Sequence, residues 1–150
     1  MREIKFRGIN TSTNKFIYGS LIKLCSGWDC SYHIQDEIKQ NPFQVIPETV
    51  GQFTGLKDKN GKDIYEGDIL KQKYLSGFEC ADEDYKENQS AGTQFNSIRF
   101  NEGEFMGGDY YFEVSDGYYS VRVFDSEIIG NIHTATKEQL EEWKIHPSND

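Results

Sequence analysis

The chain of 150 residues has no apolar run long enough to cross a bilayer, and it has only three cysteines. A membrane-spanning helix needs about 20 consecutive apolar residues, which no segment provides. Secreted disulfide frameworks use an even and denser set of cysteines. The segment from Met1 to Arg7 carries charges where a signal peptide would have its apolar run. We therefore expect a protein of the reducing cytoplasm with no membrane contact.

Basic residues are also scarce, because 16 Lys and Arg face 25 Asp and Glu, for a net charge of -9. Nonspecific binding to nucleic acids depends largely on Lys and Arg that displace counterions from phosphates. Attraction to anionic membranes depends on the same charges. The composition therefore favours a protein partner over a nucleic acid.

The usual sequence signatures of catalysis and metal binding are missing. There is no P-loop, no Rossmann fingerprint and no nucleophile elbow. Cys25, Cys30 and His33 lack the second ligand pair of a structural zinc site, which favours buried or idle thiols. Residues 58–63 resemble a calcium loop only in passing, since Lys62 takes its fifth position. We expect no metal and no cofactor, and no catalytic residue can be named.

The chain does have many short alternating segments separated by Gly, Asn and Asp, together with ten Phe, nine Tyr and two Trp. This pattern is typical of a small β barrel or sandwich. In the first strand, Ile4 and Phe6 form the predicted buried face, and Lys5 and Arg7 alternate with them. The other predicted strands are 15–24, 45–46, 50–56, 64–65, 69–70, 95–100, 110–114, 119–123 and 128–132.

Turn residues predict how these strands connect. Asn60-Gly61 predicts a type I′ hairpin turn, because both residues tolerate positive φ. Glu66-Gly67-Asp68 and Asp116-Gly117 predict two further tight turns, and Gly19 predicts a bend or bulge within its strand. Residues 25–42 predict a loop or an irregular strand.

Residues 76–94 are acidic and contain few aliphatic side chains. Such a segment cannot offset its own ordering entropy, so we predict an exposed, mobile insertion. An acidic interaction loop is the alternative.

One short helix is predicted near the end of the chain. Thr136 and Gln139 have the spacing of a capping box, and Leu140 and Trp143 lie on one side. Residues 145–150 are a predicted flexible tail. No linker divides the sequence, which predicts a single domain over residues 1–150.

The stretch from Val45 to Ile69, VIPETVGQFTGLKDKNGKDIYEGDI, resembles the signature of the YopX family of phage and prophage proteins. Arg2–Gly8 and Glu127–His133 resemble the start and the end of that family. The resemblance implies a phage or prophage origin, a bacterial host cytoplasm and an SH3-like β barrel, but no activity. We expect a mainly β, SH3-like barrel or roll of short antiparallel strands, with extra N-terminal strands and one short C-terminal helix.

Two classes of function remain open. The first is a non-enzymatic module that binds a host or phage macromolecule through exposed residues near the turns: Lys57, Lys62, Tyr65 and Asp68. For each of these four, turn geometry or sheet packing is the alternative. The second is a small hydrolase or nuclease whose site gathers dispersed Asp, Glu and His, such as His33 or His133. A third hypothesis, an acidic decoy for a nucleic-acid-binding protein, is weakened because lysines interrupt the acidic residues. Self-association through exposed strand edges is also expected.

Overall fold

The computed structural model describes residues 3–36, 41–76, 90–101, 104–107, 110–111 and 126–145. Its contacts group into two compact units. The first unit comprises Met1–Leu56 and Asp63–Gly67, and the second comprises Lys57–Lys62 and Asp68–Asp150. This grouping does not decide whether the units are separate domains, so the single domain stays a prediction.

The first unit is an antiparallel sheet of six strands. The strands are β1 (Phe6–Ile9), β2 (Phe16–Ser26), β3 (Asp29–Gln35), β4 (Pro42–Val45), β5 (Gly51–Lys57) and β6 (Asp63–Tyr65). Their order in the sheet is β4-β3-β2-β1-β5-β6. A 3-10 turn over Pro47–Thr49 follows β4, as expected of a proline that cannot donate to a ladder. Strand β4 therefore ends at Val45, one residue before the predicted end at Ile46, and it begins at Pro42 instead of at Val45.

Strand β2 changes its partner halfway along its length. Its first half pairs with β1 as far as Gly19, and its second half pairs with β3 from Ser20 onward. The predicted bend at Gly19 coincides with this change of partner. Residues 29–35 were expected in a loop or irregular strand, but seven consecutive pairs make them regular β structure.

The second unit is an antiparallel sheet of five strands followed by a helix. These elements are β7 (Asp68–Ser76), β8 (Ser90–Asn101), β9 (Glu104–Gly107), β10 (Tyr110–Tyr111), β11 (Glu127–Asn131) and α1 (Lys137–Glu142). The strand order is β10-β9-β8-β7-β11.

The ladder between β7 and β8 corrects both boundaries of the predicted insertion. It runs from Ile69 opposite Ser97 to Ser76 opposite Ser90, so residue 76 and residues 90–94 are strand. Ordering these polar residues costs conformational entropy, and the backbone hydrogen bonds with β7 offset that cost. The rest of the predicted insertion, residues 77–89, lies outside the described residues. So do the Asp116-Gly117 turn and residues 146–150 of the predicted tail. Ile145, the first residue of that tail, is instead buried, and its N–H donates to the Leu140 carbonyl at 2.9 Å.

The expected mainly β class with one short C-terminal helix is confirmed. The expected barrel is corrected, because the described strands form two open sheets, each with two edges. After β6 the chain turns at Glu66-Gly67 and starts a new sheet with β7. A run of short strands and tight turns does not distinguish this arrangement from one closed sheet.

Helix α1 begins with the predicted capping box. The Oγ1 atom of Thr136 accepts from the Gln139 backbone N–H at 3.3 Å, and Gln139 Oε1 accepts from the Thr136 N–H at 2.9 Å. Leu140 and Ile145 form a buried cluster with Ile69 of β7. The helix therefore covers one face of the second sheet.

We expect Thr136→Ala to lower the free energy of unfolding by about 1 kcal/mol, because it removes the side-chain cap. A helix of six residues has little stability of its own, so losing the cap loosens its packing on Ile69. Urea unfolding followed by far-UV circular dichroism measures the change. Thr136→Ser keeps the hydroxyl and serves as the control, and an alanine variant as stable as that control would contradict the prediction.

Candidate functional site

The outer end of the hairpin formed by β2 and β3 carries the most exposed large apolar side chain in the described part of the chain. Trp28 has a relative exposure of 105 %, against 51 % for Leu24 on the same hairpin. Trp28 and Gly27 form the turn, and Ser26 pairs with Asp29 just before it. We call residues 24–31 the hairpin tip.

A disulfide closes the hairpin tip. Cys25 and Cys30 lie directly opposite each other in the ladder, and their Sγ atoms are bonded. Both residues are exposed. The expectation of buried or idle thiols is therefore wrong for this pair, and Cys80 lies outside the described residues. A signal was available, since cysteines five apart around a two-residue turn face each other in an antiparallel register.

The hairpin tip has little packing to hold it in place. The side chains of residues 23–26 and 29–30 are all exposed. A two-stranded ribbon without a packed face is at best marginally stable in water. The backbone ladder and the disulfide are therefore the interactions that define the position of Trp28.

The four residues predicted to form a binding surface differ in their exposure to solvent. Lys57 and Lys62 are exposed on the loop after β5, where the Asp58 N–H donates to the Lys62 carbonyl at 2.9 Å. Tyr65 and Asp68 are each only 2 % exposed, so the exposure expected of these two is wrong. Whether the two lysines contact a partner stays a prediction.

Tyr65 is buried in a cluster of rings and cations within the first unit. The guanidinium carbon of Arg7 lies 4.9 Å from the centroid of the Tyr65 ring and 4.7 Å from that of Phe16. The Tyr65 ring also contacts Tyr18 and Phe53, with centroids 5.5 and 5.4 Å away. These contacts support the alternative interpretation of Tyr65, in which the residue packs within the sheet.

Arg7 reverses the predicted sidedness of the first strand. It is 4 % exposed and its Nη2 donates to the Glu66 carbonyl at 2.9 Å, whereas Ile4 is 68 % exposed. A guanidinium stacked between rings and bonded to a carbonyl is tolerated inside a protein. The alternation of Ile4 and Phe6 with basic residues gave no sign of this.

Two ionisable groups, Tyr65 itself and the neighbouring Lys5, have shifted pKa values. Burial raises the pKa of Tyr65 above its usual range, although nearby Lys5 opposes the shift. Burial alone would lower the pKa of Lys5, but Tyr65 and Asp63 raise it. The Lys5 Nζ lies 3.4 Å from Asp63 Oδ2. Both shifts favour the protonated form, so Lys5 is positively charged and Tyr65 is neutral at neutral pH.

Asp58 organises the loop that carries the two exposed lysines. Its Oδ1 accepts from the N–H groups of Asn60 and Lys62 at 2.8 and 2.9 Å, and its Oδ2 accepts from Ile128 at 3.2 Å. Burial alone would raise the pKa of Asp58, but the N–H groups of Lys62, Ile128 and Asn60 together lower it. The carboxylate therefore accepts hydrogen bonds from backbone donors, as in a hairpin turn.

The predicted turn type at this loop needs correction. Gly61 has φ 79°, whereas Asn60 is not among the described residues with positive φ. The Gly61 N–H donates to the Asp58 carbonyl at 2.9 Å. These features indicate a three-residue loop with a bulge glycine, instead of the two-residue type I′ turn.

The histidines do not assemble into a catalytic triad among the described residues. His33 Nε2 lies 3.0 Å from Ser31 Oγ, but its buried Nδ1 has no hydrogen-bond partner. A triad would orient that nitrogen with a carboxylate. His133 belongs to the other unit, where its backbone N–H donates to Asn131 Oδ1. Across the described ranges, no three His, Cys, Asp or Glu side chains are grouped to hold a metal ion.

A family model described as YopX protein matches residues 5–138, which is most of the chain. The chain belongs to the YopX family. The resemblance of the stretch from Val45 to Ile69 is thereby confirmed. Among proteins with curated descriptions, no match to this sequence was found. No helix in the described part of this YopX chain is long and apolar enough to span a membrane.

One similar solved structure is the crystal structure of protein EF1440 from Enterococcus faecalis. It shares 20 % sequence identity with this YopX chain, over 89 % of the chain and 95 % of the other protein. The TM-score of the superposition is 0.44.

Proposed function

We propose that this YopX protein is a non-enzymatic binding module that docks on a protein through its hairpin tip. The observation that supports this proposal is Trp28, with a relative exposure of 105 % at the end of a disulfide-closed turn. A fully solvated indole leaves a large apolar surface in water, which burial in a partner would remove. Tryptophan is also among the residues enriched at energetic hot spots of interfaces.

Charge favours a particular kind of partner. The net charge of -9 disfavours phosphate backbones and anionic membranes. The same charge attracts a protein surface that carries Lys and Arg. We infer a protein with an apolar pocket for the indole and a basic rim. A phage or prophage origin, a cytoplasmic location and a host or phage partner are parts of the same proposal.

Site-specific photo-cross-linking tests this proposal. The chain carries a photoreactive phenylalanine analogue at position 28 in one protein and at position 62 in a matched protein, because Lys62 is also exposed and belongs to the predicted alternative surface. We expect a discrete heterologous adduct from position 28 and none from position 62. Adducts from position 62 alone would favour the lysine surface, and an adduct with a second copy would indicate a homo-oligomer instead. No adduct from position 28 would contradict docking through the tip.

Trp28→Ala separates binding from stability. We expect the free energy of unfolding to change by less than about 0.5 kcal/mol, because the indole packs on nothing that folding buries. We expect affinity for the cross-linked partner to fall at least about thirtyfold, as for an interface hot spot. Titration calorimetry and urea unfolding measure the two effects. Trp28→Phe should retain part of the affinity, and Lys62→Ala should retain all of it.

A serine hydrolase is the second candidate, favoured only by the 3.0 Å contact between Ser31 and His33. A fluorophosphonate probe labels a serine that a neighbouring histidine activates. The binding module predicts no labelling of Ser31. Labelling that is lost in both Ser31→Ala and His33→Ala would replace the binding proposal with this one.

A further inference from the structure

The disulfide of the hairpin tip is accessible to solvent. Cys25 and Cys30 are both exposed, and so are Ser26 and Asp29, which separate them from the turn. Thiol–disulfide exchange needs a thiolate to reach a sulfur atom, so exposure makes the bond open to attack. Exposed disulfides are typically the labile or regulatory ones, in contrast to bonds enclosed in a core.

The bond also lies where its loss changes local order and leaves the core intact. It joins the second-to-last pair of the ladder, with only Ser26 opposite Asp29 beyond it. The buried apolar side chains of the first unit, such as Ile34 and Val45, lie further down the sheet. Reduction should therefore loosen the turn around Trp28 and leave the rest of the hairpin paired.

We propose that Cys25 and Cys30 form a reversible redox latch that controls how firmly Trp28 is presented. This inference rests on the proposed function of the hairpin tip and adds its regulation. In the oxidised state the latch fixes the turn, so little ordering entropy is lost when a partner binds. In the reduced state the last pairs fray, and the indole must be ordered at the moment of binding.

The reductant is a protein or small-molecule dithiol. One of its thiolates attacks Sγ of either cysteine, forms a mixed disulfide and displaces the other sulfur as a thiolate, which takes up a proton. The second thiol of the donor then attacks the mixed disulfide and releases the first cysteine. Two electrons and two protons pass to Cys25 and Cys30, and the donor becomes a disulfide.

The experiment uses the full chain with Cys80→Ser, so that Cys25 and Cys30 supply the only thiols. The protein is equilibrated with increasing dithiothreitol, and a maleimide–polyethylene glycol gel shift counts the reduced cysteines. Far-UV circular dichroism follows the fold in the same samples. We expect both cysteines to become reduced with the fold retained, and amide exchange at Ser26–Asp29 to rise by about tenfold as the turn frays.

Cross-linking from position 28 then compares the two redox states. We expect a yield about three- to tenfold lower in the reduced state, from the cost of ordering the turn. The Cys25→Ser, Cys30→Ser double variant should match the reduced protein and show no response to dithiothreitol. Control samples carry the photoreactive residue at position 62, where no adduct is expected in either redox state.

The remaining outcomes would contradict either the redox latch or docking through the hairpin tip. Reduction only on denaturation, or exchange rates equal in both states, would show that the bond is structural and would remove the latch. Equal cross-linking from position 28 in both states would also remove it, while leaving docking through the tip intact. No adduct in either state would contradict the proposed function, and amide exchange would then decide alone whether the tip is redox-sensitive.

Discussion

Gly19→Ala is expected to lower the free energy of unfolding by about 4 kcal/mol, the largest effect of any substitution considered. The residue has φ 152°, a conformation that L side chains rarely adopt. A Cβ atom at this position would lie 1.9 Å from the carbonyl oxygen of Gln35 and 2.8 Å from its carbon. Because the obstacle is the backbone of β3, no side-chain rotation relieves the clash.

The size of this effect follows from the position of Gly19 in the sheet. Phe6 of β1 is its partner on one side, and the pairing of β2 with β3 begins at the next residue. Moving the backbone to admit a methyl group would therefore disturb two ladders together. A loss of about 4 kcal/mol is a large share of the 5–15 kcal/mol that typically stabilises a domain.

Urea unfolding of both proteins measures the prediction, with Gly61→Ala as the matched control. Gly61 also has positive φ, at 79°, but a Cβ there would meet nothing within 4 Å. The control should therefore lose only about 1 kcal/mol, the cost of a left-handed conformation. Equal losses at the two glycines would mean that contact with Gln35 does not matter.

Strand positions could be predicted from the sequence because local patterns decide them. The strand expected over 50–56 is β5 to within one residue, and the helix begins at the predicted capping box. Turn residues and caps act over three or four positions, so a single sequence contains the whole signal. Pairing between distant strands has no such local signal, and the second sheet was accordingly missed.

The misassigned residues show where local patterns fail. Arg7 was expected to face outward because it is charged, but the rings of Phe16 and Tyr65 that enclose it come from other strands. Residues 29–35 looked like a loop because they mix polar and aromatic side chains. Their order comes from seven pairs with β2, which alternation of hydrophobicity alone does not reveal.

The hairpin tip illustrates a second limit, since exposure cannot be deduced from residue type. Trp28 belongs to a class of residue that is usually mostly buried. Its exposure follows from its place in a two-residue turn beyond Cys25 and Cys30, where none of the other described elements packs. Cysteines five residues apart around a two-residue turn are the sequence feature that indicates this geometry, and hydrophobicity does not.

Asp58→Ala is the second large expected effect, a loss of about 3 kcal/mol at neutral pH. Asp58 is 6 % exposed, and its carboxylate accepts from three backbone N–H groups, which alanine would leave without this acceptor. Asp58→Asn should cost less, about 1.5 kcal/mol, because its carbonyl oxygen can still accept from Asn60 and Lys62. Its amide group would then face the Ile128 N–H, donor against donor. Urea unfolding at pH 7 gives the order of the three proteins.

The site of the loss can be checked by hydrogen exchange. The loop also contacts the residue just before β11, because the Lys59 N–H donates to the Ser126 carbonyl at 2.9 Å. Removing the Asp58 carboxylate should therefore expose the start of β11 first, and the Ile128 amide should exchange faster in both variants. Asp29→Asn removes one exposed carboxylate of the hairpin tip and should change neither stability nor exchange at Ile128.

The dependence on pH follows from the direction of the pKa shift. The pKa of Asp58 is lower in the folded chain than its ordinary value, so the unfolded chain binds the proton first. Its contribution is therefore fully present above the ordinary pKa of about 4 and is lost as the pH falls through the folded value. The deficit of Asp58→Asn should be constant from pH 8 to pH 5 and should shrink below about pH 4. A deficit that stayed constant down to pH 2, or grew there, would mean that the hydrogen bonds to Lys62, Ile128 and Asn60 do not depend on the charge of Asp58.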